Sequence, residues 1–484
     1  MSWAEAAPAD LRRGDPERVL EAGLRNHHVS NTAYPIAHER TLSPYRVREA
    51  EQHQVAVSAF AGIEDLCLYV HVPFCETRCA FCEYTVVKRE EAARASAYVD
   101  ALLAELALWD AALGLGERRF HGLDLGGGTP TWLPLEEIAR IVEAVRARIR
   151  LSTGVLPSIE TTPRIAAREP DKIAGLPKLG LGRISMGVQV AEQSLLSALG
   201  RDGNGVTEQR RAADNIHSAG FERFNVDLMY GFASQTPEGW RATLEHAVSL
   251  GPDAITLYRM RYKLTRISHQ AAEVTLEKVR VLGELAKRVL ADAGYHANPG
   301  KTTLSRIPGD VGTSSYLTRR VRDGLPYLGV GLGAQSYSHR TLSYADGAVG
   351  KNLTPYLRSV ARGRLPLQDL YDLPRCQAMA KMCAVSFYFG EIDRRAFADK
   401  FGLELCDAFP DEIAFLLGRG LMEWTERSLR LTPEGAANVN GVISLFFAPS
   451  VQAYLVERDP ERAEDFARQR RISLRVAGAE ASGV

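Results

Sequence analysis

Cys75, Cys79 and Cys82 stand at C-x3-C-x2-C spacing, directly after a short apolar, strand-like segment that begins near Leu66. Thiolates are the ligands of iron–sulfur clusters, and a four-iron cluster normally takes four of them. A loop offering three implies a [4Fe-4S] cluster with one iron left open for a small molecule, and the chemistry would occur at that iron. Zinc is the competing reading. It favours C-x2-C pairs with a further Cys or His close by, and His71, inside the strand pattern, is the imidazole nearest the loop. Two further features face the same chemistry. Gly126, Gly127 and Gly128 would let backbone approach a ligand closely, with the Thr129 hydroxyl as donor and acceptor, although a tight turn before Pro130 explains the same run. Glu160 ends a strand candidate, where it would accept hydrogen bonds from a ribose or an ammonium, or simply be solvated. Tyr69 should lie beside the cysteine loop and Phe81 within it, and core packing explains both equally well.

These residues need a scaffold that brings strand ends together. From Leu66 onward, short apolar runs alternate with amphipathic helices, which predicts βα units and a parallel sheet. The strand candidates are Leu66 to His71, Gly122 to Leu125, Ser158 to Thr161, Arg183 to Val188, Arg223 to Met229 and Ala254 to Tyr258. A 3.6-residue period runs through Leu135, Ile138, Ile141, Val142, Val145 and Ile149, and again through Tyr98 to Leu108 and Val274 to Leu290. Six such units predict an open, partial (β/α)6 barrel of the α/β class. In parallel barrels the loops at the carboxyl ends of the strands build the active site, and the cysteine loop follows the first strand.

Residues 1–64 read as an N-terminal extension wrapped on the main domain, helical only over Pro16 to Leu24. The barrel is expected over 65–300 and a capping or connecting segment over 301–365. A composition shift near Leu365 opens a C-terminal α+β module at 366–455, whose helices and hairpin-like run from Gly420 to Gly435 suggest a winged helix. A tail at 456–484 is expected to fray. Winged helices often bind DNA, but a formal net charge of +0 supplies no general pull towards a polyanion, so packing against the catalytic domain is the favoured role. Neither nucleic acid nor membrane is expected as a partner. The 484-residue chain shows no signal peptide or membrane-spanning run. Its seven cysteines do not form a disulfide framework in a chain this long, which fits reduced thiols in the cytoplasm.

Several ordered motifs now carry a family resemblance. His71-Val-Pro-Phe-Cys75, Gly126-Gly-Gly-Thr-Pro130, Glu160-Thr-Thr-Pro163, Arg183 to Gln189, Leu199-Gly-Arg201, Asp227 to Gly231 and Leu328 to Ala334 run in this order between about Tyr69 and Phe447. The chain resembles the radical S-adenosylmethionine (SAM) superfamily, within it the oxygen-independent coproporphyrinogen III oxidases and their haem-chaperone, class C methyltransferase and cyclopropanase relatives. The resemblance implies that Cys75, Cys79 and Cys82 hold the cluster and that SAM chelates the open iron, its carbon–sulfur bond breaking on one-electron reduction to a 5′-deoxyadenosyl radical. It implies that Tyr69, Gly127 and Glu160 help place the cleaved SAM. Phe81, Gly128, Thr129, Gln189, Arg201 and Asp227 fall at positions that shape the pocket for a second SAM in that branch, and Gln335 is a further cofactor-binding candidate. Arg201 suits a carboxylate, because its planar fork donates two bonds at once, although a helix-end salt bridge is the alternative. An electron donor such as flavodoxin or ferredoxin is implied as well, and no general base is identifiable.

Departures narrow the transfer. Porphyrinogen-decarboxylating members carry a further cysteine in a C-x-C arrangement after the third ligand, whereas Cys82 is followed by Glu83, Tyr84 and Thr85. Asn31 to Pro35 nevertheless resembles the segment that precedes the catalytic domain in those enzymes. Arg259 and Arg261 stand where an uncharged pocket is expected and would grip a carboxylate or form surface salt bridges. Gln335 replaces an apolar residue. The leading expectation is two-SAM methyl or methylene transfer to a small aromatic or conjugated metabolite. The alternatives are coproporphyrinogen III oxidative decarboxylation or other tetrapyrrole chemistry, and a haem chaperone. His121, His296 and His339 are conceivable haem ligands, but a lone histidine is more often a satisfied structural residue, so none is assigned.

Overall fold

In the computed structural model, which describes residues 3–32, 34–35, 38–262 and 265–458, one large sheet organises the chain. Its strands are β1 (Asp65–Val72), β2 (Arg119–Gly127), β3 (Arg150–Leu151), β4 (Ser158–Thr161), β5 (Arg183–Gln189), β6 (Arg223–Tyr230), β7 (Ala254–Arg259), β8 (Thr303–Ser305), β9 (Tyr327–Val330), β10 (Gln335–Tyr337), β11 (Thr341–Ala345) and β12 (Leu367–Asp372). The spatial order is β12-β11-β10-β9-β1-β2-β4-β5-β6-β7-β8, with β3 paired to β2. Neighbours from β9 through β1 to β7 run parallel. Their central residues, such as Leu66, Leu68, Val70, Ile159, Ile184 and Val226, are fully buried, as both-face coverage by helices demands. All six expected strands are present, each within three residues of its expected ends.

The helices expected from periodicity also form, at Ala95–Leu113, Leu135–Arg146 and Leu276–Asp292. From the first of these, the buried Glu105 accepts hydrogen bonds from the Gly331 amide (2.7 Å) and the Tyr356 hydroxyl (2.6 Å). Beside it, Tyr98 donates to the His71 carbonyl (2.5 Å) and accepts from the Leu332 amide (3.1 Å). Together these bonds fix the turn after β9 against the end of β1.

Three boundary expectations are corrected. Residues 301–365 are not a cap: they supply β8 at one edge of the sheet and β9, β10 and β11 beyond β1. The shift at Leu365 is likewise not a domain boundary. It marks an exposed turn at Arg362, Gly363 and Arg364 before β12 pairs antiparallel with β11, so the C-terminal module begins at Arg375. The third concerns the N-terminal extension, which is helical beyond Pro16–Arg25: a second long helix, Glu49–Phe60, packs its Ala56 and Phe60 into the barrel core. The helix Pro16–Arg25 instead buries Val19, Leu20 and Ala22 among C-terminal side chains such as Val442 and Leu455. Glu49–Phe60 escapes periodicity because so little of its buried stripe is strongly apolar.

The module combines helices Arg375–Ser386, Arg394–Phe401 and Pro410–Gly418 with a small sheet, β13 (Glu391–Asp393), β14 (Met422–Trp424) and β15 (Ser428–Leu431), ordered β13-β15-β14. This arrangement is winged-helix-like. Residues 459–484, most of the expected tail, lie outside the described residues, as does Ala33 of the Asn31 to Pro35 motif.

Candidate active site

The cysteine loop leaves β1 and is pinned at both ends. Val87 donates to the Pro73 carbonyl at 3.0 Å, and Ala80 donates to Leu199 at 2.9 Å. The Thr77 hydroxyl reaches Gly200 at 3.1 Å. The Leu199-Gly200-Arg201 turn, which follows the helix Gln193–Ala198, is therefore the clamp on the loop. The three cysteines line one cavity of about 200 Å³ together with Phe81, Gly127 and Gly128. On its strand-end wall stand Thr129, Glu160, Gln189, Arg201 and Asp227, so residues far apart in sequence meet where the parallel topology directs them.

The polar groups in this cavity are strongly biased. Arg201 donates to Cys79 Sγ at 3.3 Å and also to the Gly187 carbonyl, while its Nε is buried without a partner. Thr129 Oγ1 lies 3.4 Å from Cys75 Sγ. Burial pushes the Cys75 thiol up to about 12 and raises that of Cys82, so these sulfurs ionise only beside a cation or metal. Glu160 opens into the cavity yet lies deep in the molecule, and desolvation followed by the charge of Asp227 raises it to about 8. Asp227 is raised by burial too, although it accepts from Ser185 Oγ and Asn225 Nδ2, each at 2.8 Å. Two buried carboxylates that repel each other make a natural seat for a cationic ligand.

Backbone shape completes the cradle. Gly127 has φ of +113° and Gly128 approaches β1 so closely that a Cβ would strike the Phe74 carbonyl. Gln189, with φ of +69°, is one of only two left-handed non-glycine residues among those described. Sequence reading missed that strain, because nothing in a glutamine announces it.

His71 is occupied elsewhere. Its Nε2 donates to the Thr85 carbonyl at 2.8 Å, burial lowers its pKa to about 4, and its ring lies under Gly127. Among the described residues no three His, Cys, Asp or Glu side chains converge as a single metal ion demands. Three thiols spread around one cavity, an arginine against one of them and a glycine cradle opposite fit a [4Fe-4S] cluster with a small ligand.

Two expected cofactor residues lie elsewhere. Tyr69 and Gln335 line a second cavity of about 440 Å³, bordered also by Tyr316, Arg320, Tyr327 and Tyr344. Gln335 is engaged there by the hydroxyls of Tyr327 and Tyr344. Tyr69 stacks on Tyr316 with ring centroids 5.5 Å apart. Its hydroxyl nevertheless lies near Glu160, since both crowd the space where a Gly126 side chain would sit. Glu83, Tyr84 and Arg261 line both cavities and form the partition between them.

Neither of the unexpected arginines is a free cation. Arg261 pairs with Glu83. Arg259, which ends β7 and lines the first cavity, donates to His27 Nδ1 of the N-terminal extension and to Asn440 Oδ1 of the C-terminal module. Burial and this guanidinium lower His27 to about 3, which keeps it a neutral acceptor. Of the conceivable haem ligands, His121 bonds to Asp65 (2.6 Å) and Ser152 (3.1 Å), and His296 joins Ser305 through its backbone.

Fold and site together define a radical SAM protein, and residues 69–247 match the radical SAM superfamily. That stretch is a radical SAM domain, and the chain around it is similar to oxygen-independent coproporphyrinogen III oxidases and heme chaperones. It is 29% identical over 325 residues to anaerobic coproporphyrinogen III oxidase 1 of Cereibacter sphaeroides, covering 64% of this chain and 70% of the relative. The oxygen-independent coproporphyrinogen III oxidase of Salmonella typhimurium is 27% identical over 425 residues, covering 83% and 88%. Heme chaperone HemW of Escherichia coli is 28% identical over 302 residues, covering 62% and 76%. Among solved structures, coproporphyrinogen III oxidase from Escherichia coli superposes with a TM-score of 0.68 over 81% of this chain and 93% of that one, at 24% identity, a likeness of fold. Among the described residues no helix is long and apolar enough to cross a membrane.

Proposed function

We propose that this radical SAM enzyme acts on a conjugated, carboxylate-bearing substrate of tetrapyrrole type, with oxidative decarboxylation of a side chain as the reaction. The observation that carries it is that the cysteine cavity shares a wall, Glu83, Tyr84 and Arg261, with a larger, tyrosine-lined one, in a chain whose similarity to coproporphyrinogen III oxidases extends over most of its length. Relatives of that kind support decarboxylation over the methyl transfer that motifs alone favour. The missing C-x-C cysteine means that Tyr84 stands where those enzymes carry a thiol.

Cys75, Cys79 and Cys82 would hold the cluster, leaving one iron for SAM. When bound, cluster and SAM supply reductive carbon–sulfur cleavage and a primary carbon radical that removes hydrogen from substrate. The chain's own residues bind and orient. Gly127 and Gly128 would admit the ligand to the backbone, Thr129 and Glu160 would accept from its ammonium or ribose, and Arg201, whose Nε is buried without a partner, would donate to its carboxylate. Asp227, held by Ser185 and Asn225, offers a second acceptor. A one-electron donor of flavodoxin or ferredoxin type and a cytoplasmic setting complete the proposal.

A second reading, two-SAM methyl or methylene transfer, is favoured by Gln189, Arg201 and Asp227, which supply amide, guanidinium and acid on one wall. The deciding experiment is anaerobic incubation of the reconstituted protein with dithionite, SAM and coproporphyrinogen III or simpler aromatic acids. Deoxyadenosine with carbon dioxide supports decarboxylation. Deoxyadenosine with S-adenosylhomocysteine and a methylated product supports the second reading. Tight haem binding with no substrate-dependent SAM consumption would overturn both in favour of a chaperone.

A further inference from the structure

A second concentration of charge lies outside the cysteine cavity, where the sheet meets the C-terminal module. Arg320 comes from helix Ser315–Val321, Lys381 from helix Arg375–Ser386 and Lys400 from helix Arg394–Phe401. Lys381 Nζ lies 5.4 Å and Lys400 Nζ 4.7 Å from the ring centre of Tyr337. That ring stands 6.1 Å from the Tyr327 ring, over which Arg320 Cζ lies at 4.7 Å. Among the described residues none of the three cations forms a salt bridge. The carboxylates nearest in sequence pair with other cations: Asp323 with Arg319 and Arg322, Asp399 with Arg395, and Asp372 with Arg340.

The polar inventory is lopsided towards donors. Lys381 is only 5% exposed. Lys400 bonds to the Gly324 carbonyl at 2.9 Å and Arg320 to the Tyr316 hydroxyl at 2.9 Å, which leaves most of their N–H groups unused. The hydroxyl of Tyr337 and Nδ1 of His339 are buried with no partner at all. Ring faces attract cations, but they do not repay removing two ammonium groups from water. Burial lowers both lysines to about 7, with Arg320 and Lys400 adding to the effect at Lys381. Donors without acceptors, gathered from four separate elements, are the complement of an oxyanion.

We propose that this junction binds an oxyanion, a carboxylate or phosphate group seated between Lys381 and Lys400, with Tyr337 donating to it and Arg320 closing the side towards the second cavity. Because Arg320 also lines that cavity, the oxyanion is either the acidic end of a molecule lying on the tyrosine rings or a free inorganic ion. The site stands apart from the cysteine cavity and does not depend on the reaction proposed above.

The test is thermal unfolding of the full chain at constant ionic strength in chloride, inorganic phosphate, benzoate or neutral benzamide. We expect a saturable rise in Tm with phosphate, benzoate or both, none with benzamide, and at least a tenfold loss of apparent affinity in the Lys381→Met/Lys400→Met double variant. Without anion that variant should unfold at or above the wild-type temperature, since it sheds unpaired buried charge. A larger effect of benzoate assigns the site to an organic acid, and a larger effect of phosphate to the free ion. Absence of any anion-dependent rise in the wild type, or an equal rise in the double variant, would overturn the proposal. If the double variant does not fold, Arg320→Gln and Lys400→Met singly must each weaken the response, and unchanged responses in both overturn it equally.

Discussion

Arg201 donates from its guanidinium to Cys79 Sγ across 3.3 Å, tying the turn after the helix Gln193–Ala198 to the loop that follows β1. The contact fixes the position of one of the three loop sulfurs against the wall of the cavity.

Replacing Cys79 by Ala removes one of three thiols while leaving the backbone bonds that pin the loop. The variant should fold with an unchanged circular dichroism spectrum but lose iron–sulfur absorbance and 5′-deoxyadenosine formation together. Retention of both would end the cluster assignment.

Arg201→Ala should still take up iron and sulfide but bind SAM at least tenfold more weakly, a loss of about 1.4 kcal/mol or more. Arg201→Lys keeps the charge but not the planar fork, so it should recover only part of the loss. Equilibrium binding of SAM to the reconstituted variants measures this directly.

Gln189 holds a left-handed backbone at φ +69°, a conformation that costs an L-residue roughly 1–2 kcal/mol. Gln189→Gly should therefore be more stable than Gln189→Ala by about 1 kcal/mol, despite glycine's greater entropy loss on folding. Both should bind SAM less well than wild type. Chemical denaturation of the three proteins decides it; equal stabilities for Gly and Ala would mean the strain is not there.

Glu105 gives the pH dependence a defined sign. Burial raises its carboxyl from 4.5 to about 7 against the hydrogen bonds from Tyr356, Gly331 and Trp109. The folded chain thus binds more protons than the unfolded chain between those values, and the group's contribution is full below about pH 4.5 and fades as pH rises towards 7. The loss is on the order of 3 kcal/mol. Glu105→Gln keeps one uncharged acceptor oxygen for Gly331 and Tyr356 at the expense of the Trp109 bond, so whatever its absolute stability, it should stay flat over that range relative to wild type in urea titrations at stepped pH.

Much of this architecture is legible in the chain because its physics is local. The run Leu66 to Val70 is apolar on both faces, and Arg223 to Met229 alternates Phe224, Val226 and Leu228 with polar residues; both patterns mark strands, and the cysteines follow the first of them. The strands β8 to β12 escape notice because they are short, at three to six residues each, and β8 and β9 are paired with strands distant in sequence. Tyr69 and Gln335 show the same limit at the site. Their positions along the strands follow from sequence, but which of two adjoining cavities each side chain enters depends on the packing of Tyr316, Tyr327 and Tyr344. The oxyanion junction is wholly non-local: Arg320, Lys381 and Lys400 belong to three helices and carry no motif.

The bonds from Arg259 to His27 and Asn440 bear on the order in which the protein can be completed. During synthesis the cysteine loop and the parallel strands emerge before residue 440, so this guanidinium lacks one of its two acceptors until the helix Val439–Leu445 has left the ribosome and met the helix Pro16–Arg25. Nascent chains, and those cut short before Asn440, would carry a half-partnered cation in the wall of the cavity that the three thiols line.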